Sequence, residues 1–518
     1  MSGTIDRGHP INIGMILSRH ARYRPSHTAV VFKEKRLNYR QFNAEVNRAA
    51  NALLGMGIKK GDKVATLLTN CVELLETYWA AAKTGAVVVP LSTMLLPKGL
   101  KSLLEDSDSK VIITNSILAK IVEEIRPELT GIMDDGYLVV DSPDMPGYRY
   151  YNDVKADASD QEPQGIEISE NDPFNIIYSS GTTGLPKGIV HTHYIRLMYA
   201  LTFPPVFRMT PESVMLHSGS IVFNATFVTL MPALYMGCTF VLLPAFSPDL
   251  FIETVRQEKV THMMVVPAQI IAILRSPKFS LKALRSIEMI CNVGAPLLME
   301  HKQELNKRLP SRFYELYGLT EGFVTVLDKY DYPRKPSSVG TPGPLLQMRI
   351  VDDDGKDVPT GKIGEIIGRG PVLMPGYYKR PDQTKQAIRD GWLFTGDVGY
   401  VDSDGYLYLV DRKKDMIDSG GVKVYPRDIE EVIARHPDVR EVAVFGIPDP
   451  KWGETPVAAV VLNQPGSTTE ESLLKWINEN VAAKYQRVSR VIVSEDFPRN
   501  IAGKILKRVM REEYLVKK

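Results

Sequence analysis

Residues 178–188 read Tyr-Ser-Ser-Gly-Thr-Thr-Gly-Leu-Pro-Lys-Gly, a run of small, hydroxylated and glycine residues ending on a lysine. Glycines such as Gly181 and Gly184 let backbone N–H groups approach an anion closely. The hydroxyls of Ser179, Ser180, Thr182 and Thr183 can donate further hydrogen bonds, and Lys187 supplies positive charge. These are the parts of a phosphate cradle, fed by the apolar strand Asn175–Tyr178. It is not a Walker A loop: counted from Gly181, the required second glycine falls on Pro186. On composition alone, a flexible glycine-rich surface loop is the competing reading.

The full string, not its composition, resembles the signature of the adenylate-forming superfamily, which includes acyl-CoA synthetases, peptide-synthetase adenylation domains and beetle luciferases. The resemblance covers almost the whole chain, with further motifs in the family's order. Tyr317-Gly318-Leu-Thr320-Glu321 resembles the motif whose threonine contacts the nucleotide phosphate and whose glutamate helps hold Mg²⁺. Gly294-Ala295-Pro296 resembles the turn beside the adenine and the acyl group, which Gly318 also adjoins. Residues 392–397, ending on Asp397, are similar to the motif whose aspartate binds the ribose hydroxyls, and Arg412 is implied as a further contact there. The charged run Asp411–Asp415 resembles the family's hinge, with Lys414 as pivot, and the loop holding Gly420 and Gly421 follows it. Residues 498–504 resemble the segment that carries the catalytic lysine, here Lys504.

The resemblance implies an ATP-dependent carboxylic acid–CoA ligase that uses ATP, Mg²⁺ and coenzyme A. A carboxylate is a poor acyl donor until its oxygen is carried away as part of a stabilised phosphate. Joining it to the α-phosphate of ATP brings two anions together, so positive charge is required at the reacting centre. Lys504 is expected to supply it, Glu321 to hold Mg²⁺, and the 179–187 loop to orient departing pyrophosphate. A thiolate then attacks the acyl-adenylate, after the C-terminal domain has turned about Lys414 and brought the Gly420–Gly421 loop to the site.

Such residues must be held by several domains, since 518 residues exceed one compact core. Amphipathic helices alternate with short apolar strands at Lys63–Leu68, Gly85–Pro90 and Val111–Thr114, a pattern of parallel strands covered by helices. Residues 148–168 are polar and acidic and read as a surface loop. From 340 to about 411, short strands with turn signals at Gly355, Gly391 and Gly405 predict a β-rich subdomain. The expected architecture is α/β. A large N-terminal AMP- and acyl-binding domain spans 1–411, and a small mobile α+β domain with a terminal basic helix spans 412–518.

The balanced charge, +2 overall, argues against a strongly basic nucleic-acid-binding surface. Cys71, Cys238 and Cys291 are too scattered for a disulfide framework or a zinc site and read as buried thiols. The N-terminus lacks a signal-peptide core and the C-terminus a lipidation signal, so a cytoplasmic monomer or homodimer is expected. Residues 218–248 carry no formal charge, but Asn224, Pro232, Gly237 and Pro244 interrupt them. A buried helix followed by a core strand is expected there, with peripheral membrane contact left open.

For the acid, the apolar run 219–227 predicts an acyl tunnel touched by Phe223 and Phe227, which points to a medium- or long-chain fatty acid. Aryl acids come second, and two phenylalanines four apart on a helix equally suit a plain core face. The family's acyl-gate histidine would fall near Val222 or Phe223, so His217 reads as gate or structural residue. Asp418 replaces the lysine of aryl ligases, and Leu316 a common glycine. Loading of a carrier protein instead of coenzyme A, and a silent adenylate-binding sensor, are the rival functions.

Overall fold

The computed structural model describes residues 11–179, 186–419, 422–499 and 505–516. Among these residues the chain forms four sheets. The largest, nine-stranded, has a parallel centre running Thr28–Phe32, Thr239–Leu242, Val214–His217, His262–Val265, Met289–Asn292 and Phe313–Leu319. Antiparallel strands close its edges, Lys35–Asn38 on one side and Phe323–Leu327 with Thr341–Pro342 on the other. A seven-stranded sheet is parallel through Lys63–Leu67, Val87–Pro90 and Pro173–Ser179, and ends on the antiparallel strand Lys187–Thr192.

Near-continuous apolar strands such as Val87–Pro90 need cover on both faces, and helices supply it. Tyr39–Gly55, Val72–Thr84, His193–Phe207 and Asn224–Met236 fill the space between the two sheets, sharing one core with side chains of both. Pro248–Glu258, Pro267–Arg275 and Met299–Arg308 cover the outer face of the larger sheet. Pro97–Asp106 and Ser116–Ile125 cover that of the smaller, giving five layers. Helix Tyr39–Gly55 starts on a capping box: Asn38 Oδ1 accepts from the Gln41 backbone N–H at 2.8 Å, and Gln41 Oε1 accepts from that of Asn38 at 3.0 Å.

The uncharged run behaves as expected, as buried helix Asn224–Met236 and strand Thr239–Leu242. Among the described residues no helix is long and apolar enough to cross a membrane. The expected surface loop at 148–168 needs correction. Its first part is a short strand and the helix Tyr151–Ala156, with Tyr148, Tyr151 and Lys155 buried. Lys155 Nζ pairs with the fully buried Glu76 at 2.7 Å and with Glu45 at 2.8 Å. Its acidic second part is tied down as well, since Glu162 meets the buried Lys83 at 2.7 Å. Two buried lysines, Lys155 within the segment and Lys83 outside it, thus anchor it through ion pairs that no local pattern reveals.

A third sheet is built from Gln347–Val351, Gly364–Arg369, Ile388–Arg389, Trp392–Val401 and Leu407–Arg412. The turn signals at Gly355, Gly391 and Gly405 all lie between its strands. The last sheet lies within 417–493, with helices Pro426–Ile433, Glu470–Asn480 and Lys507–Val516 packed on it. The three cysteines are free thiols, Cys238 and Cys291 buried and Cys71 partly so. Burial pushes the Cys238 thiol up to about 12.

Candidate active site

Three of the expected motifs leave the carboxyl ends of parallel strands, where open α/β sheets bind ligands. Ser179 ends its strand, Gly294–Pro296 follow Met289–Asn292, and Thr320–Glu321 follow Phe313–Leu319. The phosphate run is flanked by two paired strands: Ser179 lies opposite Lys187, and Tyr178 opposite Gly188, in antiparallel register. Ser180, Gly181, Thr182, Thr183 and Gly184 lie outside the described residues, as do Gly420, Gly421 and Lys504.

Two clusters form around the hairpin of Phe313–Leu319 and Phe323–Leu327. In the first, Tyr317 Oη donates to Asp397 Oδ2 at 2.7 Å, while Arg412 Nε lies 3.2 Å from Oδ1. Asp397 and Arg412 are register partners on neighbouring strands, so backbone pairing sets the ion pair. Asp397 is buried, at 6% exposure, and Tyr317 is held far above its usual range by burial and by the adjoining carboxylate. A phenol that stays protonated there is a permanent donor.

In the second cluster, Tyr377 Oη donates to Glu321 Oε1 at 2.9 Å. Lys187 Nζ sits 4.8 Å from the centre of the same ring. The turn bearing Glu321 is pressed against residues 372–374, where the Met374 N–H donates to the Glu321 carbonyl at 2.8 Å. Gly322 makes that approach possible, with φ +113° and room for no Cβ, which would come 2.0 Å from the Val372 carbonyl oxygen. The Thr320 carbonyl accepts from His191 Nε2 at 2.8 Å. Burial, with Arg196 nearby, holds His191 well below its ordinary value and therefore neutral.

Other expected residues are placed differently. Gly294, Ala295, Pro296 and Gly318 are exposed, and the Ala295 carbonyl accepts from Asn292 Nδ2 at 3.0 Å. Lys414 is exposed, in the turn between strands Leu407–Arg412 and Ile417–Ser419. Phe223 caps the helix Asn224–Met236 and edges a small cavity with Leu91, Leu95, Leu103, Tyr178 and Val222. Phe227, four residues on, is fully buried against Tyr78, Phe174 and Arg196, on the core face of that helix. His217 is an interior histidine: its Nε2 lies 3.2 Å from Thr226 Oγ1, and burial lowers it to about 4. Sequence reasoning missed Tyr377, since a tyrosine in Gly376-Tyr-Tyr378 carries no marker of a site, and it missed the return strand Lys187–Thr192.

The donor set suits a magnesium nucleotide. Among the described residues no group of three or more His, Cys, Asp or Glu could enclose a metal alone. Mg²⁺ commonly takes one or two carboxylates and completes its shell with water and phosphate oxygens, which Glu321 beside Lys187 would allow.

Comparison with known proteins agrees with this geometry. Residues 17–378 match the AMP-binding enzyme family, and residues 428–504 the AMP-binding enzyme C-terminal domain. The chain is 35% identical over 512 residues to the long-chain-fatty-acid–CoA ligase FadD13 of Mycobacterium tuberculosis, covering 97% of this chain and 98% of that one. It is 33% identical over 507 residues to a feruloyl-CoA synthase of Amycolatopsis sp., covering 96% and 98%. The crystal structure of ATP-bound MatB from Rhodopseudomonas palustris superposes with a TM-score of 0.87 at 30% identity, covering 97% and 99%. The chain belongs to the AMP-binding enzyme family, in its acyl-CoA synthetase branch.

Proposed function

We propose that the protein joins a medium- or long-chain fatty acid to coenzyme A in two steps at the edge where the Asp397 and Glu321 clusters meet. The observation that carries this reading is that one hairpin bears Tyr317, which orders Asp397, and Glu321, which shares Tyr377 as a contact with Lys187. In the first step a carboxylate oxygen attacks the α-phosphorus of ATP, and the bond to the bridging oxygen breaks to release pyrophosphate. Asp397 accepts from the ribose hydroxyls, and Arg412, paired with its other oxygen, keeps that carboxylate oriented. Thr320 contacts the α-phosphate, while Lys187 and the 179–184 loop gather the departing phosphates. Mg²⁺ bound at Glu321 would offset charge on the phosphates. Lys504 brings the charge that lets carboxylate and phosphate meet.

In the second step the thiolate of coenzyme A attacks the acyl carbonyl and AMP leaves. The C-terminal domain, 412–518, turns about Lys414 between the steps, replacing Lys504 with the Gly420–Gly421 loop. A long exposed residue in a turn suits a pivot, since hinges need dihedral freedom and not glycine as such. The fatty-acid choice rests on the apolar run 219–227 and on the 35% identity to a long-chain-fatty-acid–CoA ligase; beside Phe223 that run edges a cavity of about 10 Å³, the size of one water.

A panel of short, medium and long fatty acids and aryl acids, assayed for pyrophosphate release and for acyl-CoA by mass spectrometry, tests both levels. Highest kcat/KM on medium or long chains is expected. Preference for an aryl acid would overturn the substrate, and acyl-adenylate without thioester would overturn the ligase.

A further inference from the structure

Tyr377 touches both ionic residues of the second cluster, and a purely apolar contact would have needed neither. Its hydroxyl donates to Glu321 Oε1 at 2.9 Å and its ring lies 4.8 Å from Lys187 Nζ. It comes from a segment separate in sequence from both. The Tyr377 backbone bridges to Ile189, and the Tyr378 N–H donates to the Gly188 carbonyl at 2.7 Å. That places the ring beside the strand which Lys187 begins. The Tyr377 N–H in turn donates to Thr384 Oγ1 at 2.9 Å. Tyr378 Oη and Lys379 Nζ bond Asp108 at 2.7 and 2.6 Å, and Arg380 bonds Asp106 at 2.5 Å. The segment 377–380 is thus pinned along its length, and Tyr377 is 9% exposed.

We infer that Tyr377 is a positioning residue for adenylation, its hydroxyl orienting Glu321 toward the magnesium ion and its ring seating the Lys187 ammonium toward the phosphates. The inference rests on the proposed ATP-using reaction and adds a division of labour within one side chain. A phenol donating to one carboxylate oxygen leaves the other to face a cation. An ammonium over an aromatic face is held without the carboxylate partner that would neutralise it.

The two contacts separate by substitution. Tyr377→Phe keeps the ring and the packing against Ile189 and Met374, and removes only the hydroxyl. Tyr377→Leu removes both contacts. Calorimetric binding of α,β-methylene ATP, with and without Mg²⁺, reads them independently of turnover. For Tyr377→Phe, metal-free binding should stay within about twofold of wild type, while the gain on adding Mg²⁺ shrinks about threefold to tenfold. Tyr377→Leu should weaken metal-free binding too, by about threefold or more. In a Glu321→Gln background, Tyr377→Phe should add no further loss. An undiminished Mg²⁺ gain in Tyr377→Phe, or a full further loss in the Glu321→Gln background, would overturn the inference. Should Tyr377→Leu fail to fold, the Tyr377→Phe cycle decides alone. Absence of Mg²⁺-dependent nucleotide binding in the wild type would instead overturn the ligase reading, and this inference with it.

Discussion

Asp397 shows how much a single side chain depends on neighbours that its own motif does not name. Its carboxylate is buried, with Tyr317 on one oxygen and Arg412 on the other, so its orientation is set before any ligand arrives. Hydrogen bonds to a charged acceptor contribute about 1.5–3 kcal/mol each. Asp397→Asn should therefore raise the KM for ATP by roughly tenfold to a hundredfold, with the KM for coenzyme A unchanged. Steady-state kinetics with each substrate varied would check this, and a KM for ATP within about twofold of wild type would remove Asp397 from nucleotide binding. Asp397, Arg412 and Tyr317 were each legible in the sequence, because charged or hydroxylated residues stand out inside recognisable strings. Their contacts with one another were not, since these come from strand register and from a hairpin about eighty residues away. Tyr377 was illegible on both counts: neither its type nor its neighbours distinguish it from a core tyrosine.

Among the elements, the parallel strands and their helices were readable because apolar runs and helical spacing are local signals. Lys63–Leu67 and Val87–Pro90 lie within a residue or two of the expected limits. The hairpin at 173–192 was half read. The glycine-rich string drew attention as chemistry and hid the return strand, whose antiparallel pairing holds Lys187 opposite Ser179. The uncharged run was read correctly because Gly237 ends its helix and Pro244 follows its strand, although Pro232 lies within the helix, and which face of that helix meets the acyl group depends on packing. Phe227 went to the core and Phe223 to the cavity edge. Strand Val214–His217 carries a testable consequence of that interior. Burial lowers His217 from 6.5 to about 4, so it is neutral in the fold while the unfolded chain takes up a proton first. Stability is complete above about 6.5, falls as pH drops through the window to about 4, and levels below it, by about 3 kcal/mol at most for this group. Urea unfolding across that window should show a shallower acid loss in His217→Asn than in wild type. Equal slopes would mean that His217 does not titrate on unfolding.

At the scale of the molecule, the strands that bear or precede the proposed nucleotide contacts Asp397 and Glu321 lie in other sheets than the one within 417–493, around which the proposed mobile domain is built. Ion pairs and hydrogen bonds join them around the proposed pivot. The Arg427 N–H donates to Asp411 Oδ2 at 3.1 Å, Arg427 Nη1 to the Leu409 carbonyl at 3.1 Å, and Lys413 Nζ reaches Glu365 at 2.9 Å. Burial raises the Asp411 carboxyl, partly countered by Lys507. Few apolar side chains are needed for such contacts, which suits an interface that must be made and remade. The order of motifs leads to the proposal of a two-part molecule, while these bonds depend on contacts that no local sequence pattern marks. The central claim is that the phosphate hairpin orients ATP and that Lys504, far off in sequence, supplies the charge for adenylation alone. The direct test is Lys504→Ala assayed in both half-reactions. The account predicts that ATP–pyrophosphate exchange falls by a hundredfold or more, about the loss seen when one charge-stabilising donor is removed from an active site, while preformed acyl-adenylate still reacts with coenzyme A at close to the wild-type rate. Wild-type exchange in that variant, or equal loss of both half-reactions, would contradict it.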